Sequence, residues 1–596
     1  MEEKANARSN VQDKGSKFAF IRKDAYFFRV FTKKILSKES KSFVKDRTRH
    51  MYSIGTTKLE DWNTINWRKT IRNVKKLRHR IFLATQKQEW NKVRSLKKLM
   101  LKSHSNLLLS IRRVTQVNKG RKTPGINKTL ALTNQDRLRL SKTMNDLELH
   151  KVKPTRRINI PKKNGKQRPL GIPTIEDRVA QGIVKNALEP EWEAKMEDHS
   201  YGFRPGRSTQ DAISQCFTRL RNSPTSKDEW ILEADIKGAF DNINHEFIMN
   251  AIGKTPGRRL IKQWLKAGYV EVGKYHQTDK GTPQGGIISP LLANIALHGL
   301  QEELRKHKIR GFIRYADDFI VTTPTKEVAN IAKGIVEKWL KIRGLELNQE
   351  KTKITHIYDG FDFLGFHVQR YRDGKCIIQP GKQEMLNFAK KIGAWLRKHP
   401  SIDQELVIKH LNPIIRGWAN YYKGVCSKKT FSYLHHRITE YLYRWSKNRH
   451  PNKSRYWVKN KYFGNVHGDN WIFRKKIKKG EKVTTISIVN ISKTPIVRHT
   501  KVKGSASPDD PNLKDYWAKR STKLGKTRWA KNSKWYKIAQ TQKWKCPICG
   551  EYLINGEDIE THHKIPLSQG GNDELDNLVH LHQPCHKQEH KKGWKA

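Results

Sequence analysis

Cysteine is scarce in this chain, with six residues among 596. Three are scattered (Cys216, Cys376, Cys426), and three (Cys546, Cys549, Cys585) fall in the last tenth. That distribution excludes a secreted disulfide framework and points to a reducing compartment and a C-terminal metal site. Long apolar runs are missing as well. No window offers the roughly 18 consecutive apolar residues of a membrane span, so no membrane partner is expected. The opening "MEEKANARSNVQDK" has neither the apolar core of a signal peptide nor the acid-poor composition of a transit peptide, and the protein is expected to stay where it is made. Acidic residues are also few: 56 Asp+Glu stand against 120 Lys+Arg, a formal net charge of +64 spread along the chain. Such a balance suits a polyanion, and without a membrane segment that polyanion is nucleic acid.

A chain this long is expected to divide into several domains. Residues 1–60 carry many charges and no sustained period, and read as a basic N-terminal extension. From Trp67, Ile71, Val74, Leu77 and Ile81 recur at helical spacing, and Trp90, Val93, Leu96 and Met100 repeat the pattern, predicting two basic amphipathic helices. From about 150 to 380, short β-branched runs alternate with helical stretches and Gly/Pro turns, as in an α+β domain. Residues 385–470 read as helical, with the aromatic cluster "IIRGWANYYKG". Between 501 and 545, Trp517, Trp529, Trp535 and Trp544 stand among Lys and Arg. That mixture suits phosphate contact with base stacking; the alternative is aromatic packing within a small basic module.

Chemistry enters with "FIRYADDFIVTT", where Asp317 and Asp318 interrupt an apolar, β-branched run. Neighbouring strand residues point to opposite faces, so the two can approach one ion together only at a tight hairpin turn. A second run, "WILEADIKGAFDNI", ends its apolar part at Asp235, and adjacent strands would bring Asp235 and Asp317 to a shared edge. Carboxylates grouped this way suit Mg²⁺, and two such ions suit phosphoryl transfer. Taken alone, the Asp pair also reads as a solvated turn. At the C-terminus, "CPICG" supplies Cys546 and Cys549, and His582 with Cys585 repeats the two-residue gap. Four N/S ligands so spaced suit a closed tetrahedral Zn²⁺ site, with His580 as the competitor of His582.

Seven blocks occur in order: "IPKKNGKQRPLGIPT", "SYGFRPGRSTQDA", "EADIKGAFDNI", "GTPQGGIISPLLANIAL", "YADD", "GLELNQEKTK" and "FDFLGF". They resemble the ordered motifs of reverse transcriptases, and specifically of bacterial group II intron-encoded reverse transcriptase/maturases, over about residues 60 to 596. "RGWANYY" is similar to that family's RNA-binding thumb, domain X, and "ETHHKIPLSQGGNDELDNLVHLHQPCHKQEH" resembles an HNH, or ββα-metal, nuclease. The resemblance implies an α+β multidomain protein: a right-hand reverse transcriptase with fingers and palm (61–380), a helical thumb (381–470), a basic DNA-binding segment (471–540) and a zinc-containing HNH domain (541–596).

By the same resemblance, Asp235, Asp317 and Asp318 surround catalytic Mg²⁺, with Asp318 the weaker claimant to direct ligation. Lys162 and Arg168, on a hairpin with "NG" at its turn, meet the incoming triphosphate, and Arg156 assists. Phe240 lies beneath the deoxyribose, with a core aromatic as the alternative, and Gln284 contacts nucleotide or template. Ser208 and Asp211 have capping-box spacing, while Arg204 and Arg207 are candidates for template contact. Trp418, Tyr421 and Tyr422 are spaced more like helix core than an RNA platform. Asn127 stands where the family commonly has an acid, and nothing catalytic follows from it. In the nuclease, His563 is the implied general base, Asn577 orients it, and His562, His586 and His590 hold a divalent ion. Implied partners are intron RNA, target double-stranded DNA and dNTPs. The implied setting is the bacterial cytoplasm, at the nucleoid when the protein acts on DNA.

Overall fold

The computed structural model describes residues 60–592, apart from 162–164, 166, 224–226 and 480–481. The expected basic extension therefore falls almost wholly outside the described residues, and so does Lys162.

Helix Trp67–Gln86 begins where the Asn66 side chain accepts from the Lys69 amide at 2.9 Å, satisfying one of the amides that a helix start leaves open. Its stripe of Val74, Leu77 and Ile81 packs on Val93, Leu96 and Met100 of helix Trp90–Leu101 and on Ala187 of helix Ile175–Lys195. Trp90, expected on this face, is instead 47% exposed. As the first residue of its helix it lies at the edge of the packing, under the Lys195 ammonium at 4.8 Å.

Two sheets carry the polymerase-like half. Hairpin Thr155–Pro161/Gln167–Ile172 is extended by strands Tyr269–Glu271 and Lys274–His276. The second sheet runs in the order Gly311–Tyr315, Asp318–Thr323, Trp230–Asp235, Lys353–His356, every neighbour antiparallel. In strand Asp318–Thr323 only the first residue is exposed. Helix Lys326–Lys341 contacts the sheet, and Ile213, Cys216 and Leu220 of helix Thr209–Leu220 join Ile231, Ile313 and Ile320 in one core. A β-branched run buried on both sides this way lacks polar alternation.

The same core runs on, through strands Phe361–Phe363, Phe366–Arg370 and Cys376–Pro380, into helices Lys382–Lys398, Gln404–Tyr422, Lys428–Asn448 and Arg455–Tyr462. Trp418 stacks on Phe388 at 5.0 Å, and the hydroxyls of Tyr421 and Tyr422 donate to the carbonyls of Leu364 and Gly365 at 3.0 and 3.1 Å. This aromatic cluster is a packing device that joins the helices to the sheet. Past residue 470 the chain still belongs to this body: Phe463 and Phe473, from strands Phe463–Val466 and Asp469–Lys479, pack in the same core.

Several expected nucleic-acid contacts turn out to be structural. Arg204, a candidate for template contact, is buried and paired with buried Glu193 at 2.9 Å. Arg207 donates to the carbonyls of Asp198 and Gly504 at 3.1 and 2.6 Å. Of the four tryptophans between 501 and 545, Trp544 is buried, Trp529 lies parallel to His580 at 4.8 Å, and Trp517 donates to the Ser507 carbonyl at 2.8 Å and covers Gly206. Only Trp535, 44% exposed, keeps an open ring. The Ser208–Asp211 capping box is present, and Asp211 does more. Fully buried, it also receives the Val502 amide (2.8 Å), Arg520 (3.1 Å) and His499 (2.8 Å), tying the basic segment to the sheet's helix. Arg78 repeats the device with Glu189 and Asp509, at 2.9 and 2.6 Å.

The C-terminal module pairs strands Ile559–His563 and Leu578–His582 in antiparallel register and closes with helix Gln583–Lys592.

Candidate active sites

The first site forms at the end of the four-stranded sheet. Tyr315 pairs with Asp318, so Ala316 and Asp317 make a two-residue hairpin link, and Ala316 has φ +61°. A positive φ there gives the link the twist of the primed turns that antiparallel strands favour. The link sits tight on its support: a Cβ on Gly202 would lie 2.2 Å from the Ala316 nitrogen. Beneath it, buried Arg314 donates to the Ala316 carbonyl at 3.3 Å and pairs with Glu197 at 3.3 Å. On the neighbouring strand Asp235 stands directly opposite Asp318. Paired residues of antiparallel strands share a face, so Asp235 and Asp318 are neighbours with Asp317 beside them.

Crowded carboxylates resist losing their protons. Burial, then the Asp235 charge, pushes the Asp317 carboxyl up. Asp318, although exposed at the strand's end, rises to about 6 through desolvation by its neighbours, then the charges of Asp317 and Asp235. Partial cationic relief comes from Lys351, whose ammonium lies 2.9 Å from Asp235 Oδ2, with Asn348 donating to the same oxygen at 3.1 Å. The three carboxylates do not point at one spot. Among the described residues, the groups of three or more ligand side chains within 4.8 Å of one another are two C-terminal ones. The donor set still fits hard divalent cations: oxygen ligands, raised proton affinities at Asp317 and Asp318, and a lysine on Asp235 that an ion could displace.

Around this edge, Arg168 donates to Gln284 Oε1 at 2.8 Å, and the Gln284 amide donates to both oxygens of Asp241 at 3.0 and 2.9 Å. Two predicted nucleotide contacts therefore touch each other. Arg156 is engaged with the Pro124 carbonyl at 2.9 Å. Phe240 is half-buried, edge-on to Phe203 at 6.1 Å, so it is not a fully buried core ring.

At the C-terminus, Cys546, Cys549, His582 and Cys585 are buried, with ligand atoms within 4.8 Å of one another. His582 Nδ1 lies 3.3 Å from Cys549 Sγ, and its Nε2–H donates to the Tyr552 carbonyl at 3.2 Å, which leaves Nδ1 as the lone-pair nitrogen. Ligands about 2.3 and 2.1 Å from a tetrahedral zinc sit roughly 3.5 Å apart, so this cluster fits Zn²⁺. His580 is elsewhere: buried, bonded to Thr561 and to the Trp535 carbonyl at 3.0 Å each.

A second cluster joins His562, His586 and His590. His586 Nδ1–H donates to Glu560 at 2.6 Å, turning its Nε2 toward His590 Nε2, 2.9 Å away. Burial, then the neighbouring histidines, lowers His562 to about 4; a neutral imidazole is the form that binds a metal. The cluster fits a divalent ion with open positions. His563 is half-exposed beside it, its Nε2 bonded to Asp573 at 2.8 Å, so Nδ1 is left as the proton acceptor. Asn577 was expected to orient His563. Its side chain clamps the intervening loop: it accepts from the Ile565 amide at 2.8 Å and donates to the carbonyls of Ile565 and Asn572 at 3.0 and 2.7 Å.

Comparison with known proteins agrees in chain order. Family models match for the N-terminal domain of reverse transcriptase at residues 62–144 and for reverse transcriptase (RNA-dependent DNA polymerase) at 160–368. Further on, the group II intron, maturase-specific domain matches 385–463 and HNH endonuclease matches 546–592. Protein YkfC of Escherichia coli (strain K12) is 32% identical over 50% of this chain and 91% of its own length. Group II intron-encoded protein LtrA of Lactococcus lactis subsp. cremoris is 32% identical over 47% of this chain and 63% of its own. The chain belongs to the group II intron-encoded reverse transcriptase family.

This group II intron-encoded protein is multifunctional, joining an RNA-directed DNA polymerase domain, a maturase-specific domain and an HNH DNA endonuclease domain. Among solved structures, an apo telomerase from Candida tropicalis aligns with a TM-score of 0.28 at 15% identity, over 37% of this chain and 53% of that one. Site residues that sequence reasoning passed over are Lys351 and Asn348 on Asp235, Asp241 on Gln284, Phe203 on Phe240, Glu560 on His586 and Asp573 on His563. Lys351 and Asn348 lie inside the "GLELNQEKTK" block, so the block signalled a role without assigning one. Glu560 stands two positions before the first histidine, on the same strand face, a spacing that could have marked it.

Proposed function

We propose that this protein binds its intron RNA and assists splicing, nicks a double-stranded DNA target at the HNH centre, and copies the inserted RNA from the new 3′ end with dNTPs. The observation that carries the copying role is Asp235 facing Asp318 across paired strands with Asp317 in the adjoining link. Mg²⁺ held by Asp235 and Asp317, with Asp318 contributing, would activate the primer hydroxyl and offset charge on the leaving oxygen. An ion held by Asp235 would take the place of the Lys351 ammonium. Arg168, with Arg156 on the same hairpin, meets the triphosphate, and Lys162 assists. Phe240 lies beneath the deoxyribose and rejects a 2′-hydroxyl, and Gln284 sets the position of Arg168 against the nucleotide.

In the nuclease, His563 takes the proton from water while Asn577 keeps its loop in shape. A divalent ion on His562, His586 and His590 would stabilise the scissile phosphate, and zinc on Cys546, Cys549, His582 and Cys585 would hold the module together. The working divisions are fingers and palm 61–380, thumb 381–470, DNA-binding segment 471–540 and nuclease 541–596. The surplus of cations supports RNA and DNA as partners. No described helix is long and apolar enough to cross a membrane. The proposed setting is the bacterial cytoplasm, at the nucleoid on DNA. The test is a complex of protein and intron RNA on a labelled target duplex: a nick in one strand followed by cDNA joined to the nicked end supports the proposal. Splicing without either product would leave an RNA-binding splicing cofactor.

A further inference from the structure

Helix His104–Arg112 belongs to the N-terminal reverse transcriptase domain, yet its last side chain ends inside the nuclease. Arg112 is 2% exposed. Its Nη2 donates to Cys585 Sγ at 3.1 Å and lies 3.6 Å from Glu557 Oε2, and its guanidinium covers the Trp67 ring at 4.6 Å. Trp67 is itself buried. Around this plug runs a rim of polar links: Arg68 to the Pro547 carbonyl at 2.9 Å, Lys75 to Glu551 at 2.7 Å, and Gln588 to the Asn63 and Ile65 carbonyls at 2.5 and 3.2 Å.

Charge accounting gives the plug a purpose. Three thiolates and one neutral imidazole around Zn²⁺ leave a net charge of −1, in a cluster whose four residues are all buried. A buried net charge is unfavourable unless a counter-charge and hydrogen bonds meet it. Arg112 brings both: a buried cation, shared with the Glu557 carboxylate, and an N–H pointed at a ligand sulfur. Such a donor draws electron density from the thiolate, making it a poorer target for protons and electrophiles and slowing loss of the metal. The cation comes from about 470 residues away in the chain, from the domain that carries the polymerase's N-terminal helices.

We propose that Arg112 is a positioning residue of the nuclease zinc site, so that the polymerase's N-terminal helices complete the metal site of the HNH module and hold the two enzymes together through it. This rests on reading Cys546, Cys549, His582 and Cys585 as a zinc site. Integrity of the nuclease metal site then depends on the polymerase body, and stripping zinc loosens the nuclease from it.

The experiment uses the full-length chain: zinc per protein, the rate of zinc transfer to a chromophoric chelator, and the rate of cysteine alkylation, with primer extension as the check on folding. Wild type should hold one zinc, and a zinc-free wild type would overturn the reading of the cluster itself. Arg112→Met should release zinc about 10- to 100-fold faster, the usual scale for removing a partner of a metal ligand. Arg112→Lys, which keeps the charge, should stay near wild type, whereas Arg112→Gln, neutral but still a donor, should fall between Lys and Met. Lys75→Ala, which removes an exposed rim contact, should leave release unchanged. Wild-type release by Arg112→Met or Arg112→Gln overturns the inference. If Arg112→Met does not extend primers, the Lys and Gln pair decides, and equally fast release from both means that shape, not charge, is what Arg112 supplies.

Discussion

Two residues of the nuclease separate chemistry from scaffolding. If His563 is the base, His563→Ala removes the proton acceptor and should lower nicking by about two to four decades, or about 3–5 kcal/mol of barrier. Its stability cost should stay under about 1 kcal/mol, because the partner Asp573 is 73% exposed and such pairs contribute little. Asn577→Ala works in reverse. It deletes three hydrogen bonds, to the Ile565 amide and the carbonyls of Ile565 and Asn572, at a position 8% exposed. At about 1 kcal/mol each, the loop between the two strands loses roughly 3 kcal/mol and the base loses its fixed position. The assay is nicking of a labelled duplex by the RNA–protein complex, with and without added imidazole. Imidazole should restore part of the activity of His563→Ala, whose pocket is intact, and none of that of Asn577→Ala, whose pocket is not. Undiminished nicking by His563→Ala, or equal rescue of both variants, would refute the division of roles.

If Phe240 lies beneath the deoxyribose, Phe240→Val should open space there and raise ribonucleotide incorporation relative to deoxyribonucleotide in paired primer-extension assays; an unchanged ratio would deny the ring a role in sugar selection. Asp318, with its pKa raised to about 6, must shed a proton to accept a cation below that pH. The Mg²⁺ needed for half-maximal extension should therefore climb as pH falls below about 6, by up to about tenfold per unit, and identical Mg²⁺ curves above and below that value would contradict this. Asp211→Ala leaves Arg520 and His499 without their buried acceptor and should cost about 3–5 kcal/mol locally, read as early proteolysis in the 495–530 region. Burial alone would raise the Asp211 carboxyl, but hydrogen bonds from His499, Ser208 and Val502 hold it below the usual range. Its contribution is therefore full above the ordinary carboxylate pKa and is lost as pH falls through the lowered one.

The palm was legible because its information is local. A β-branched run broken by "ADD" states both a buried strand and the position of its turn; the sequence put Asp235 and Asp317 at a shared edge, and only the register shows that the residue opposite Asp235 is Asp318, with Asp317 in the link. The cluster of three cysteines and a histidine was legible from the spacing of Cys546, Cys549, His582 and Cys585; only three-dimensional packing could set His580 against Trp529 and leave His582 among the cysteines. What could not be read are links between distant parts of the chain. Arg78 to Asp509, Asp211 to Arg520 and Arg112 to Cys585 each join residues hundreds of positions apart, and a surplus of Lys and Arg hides which few cations are buried. Arg204 and Arg207 show that cost: their composition suggested template, whereas Arg204 serves a buried Glu193 and Arg207 binds the carbonyls of Asp198 and Gly504. The tryptophans of the basic segment mislead likewise, because a ring that would stack on a base also fills a small module's core.

On the proposed function, copying is carried out at the edge formed by Asp235, Asp317 and Asp318, apart from the surfaces that bind RNA. The direct measurement is Asp317→Ala, assayed side by side for Mg²⁺-dependent primer extension on an RNA template and for protein-assisted splicing of the intron RNA. Extension should vanish while RNA binding and splicing stay close to wild type, because the substitution removes one carboxylate from a two-residue link and leaves the cationic surface untouched. Extension by the Asp317→Ala protein at a wild-type rate, or loss of splicing in step with extension in a folded variant, would contradict it.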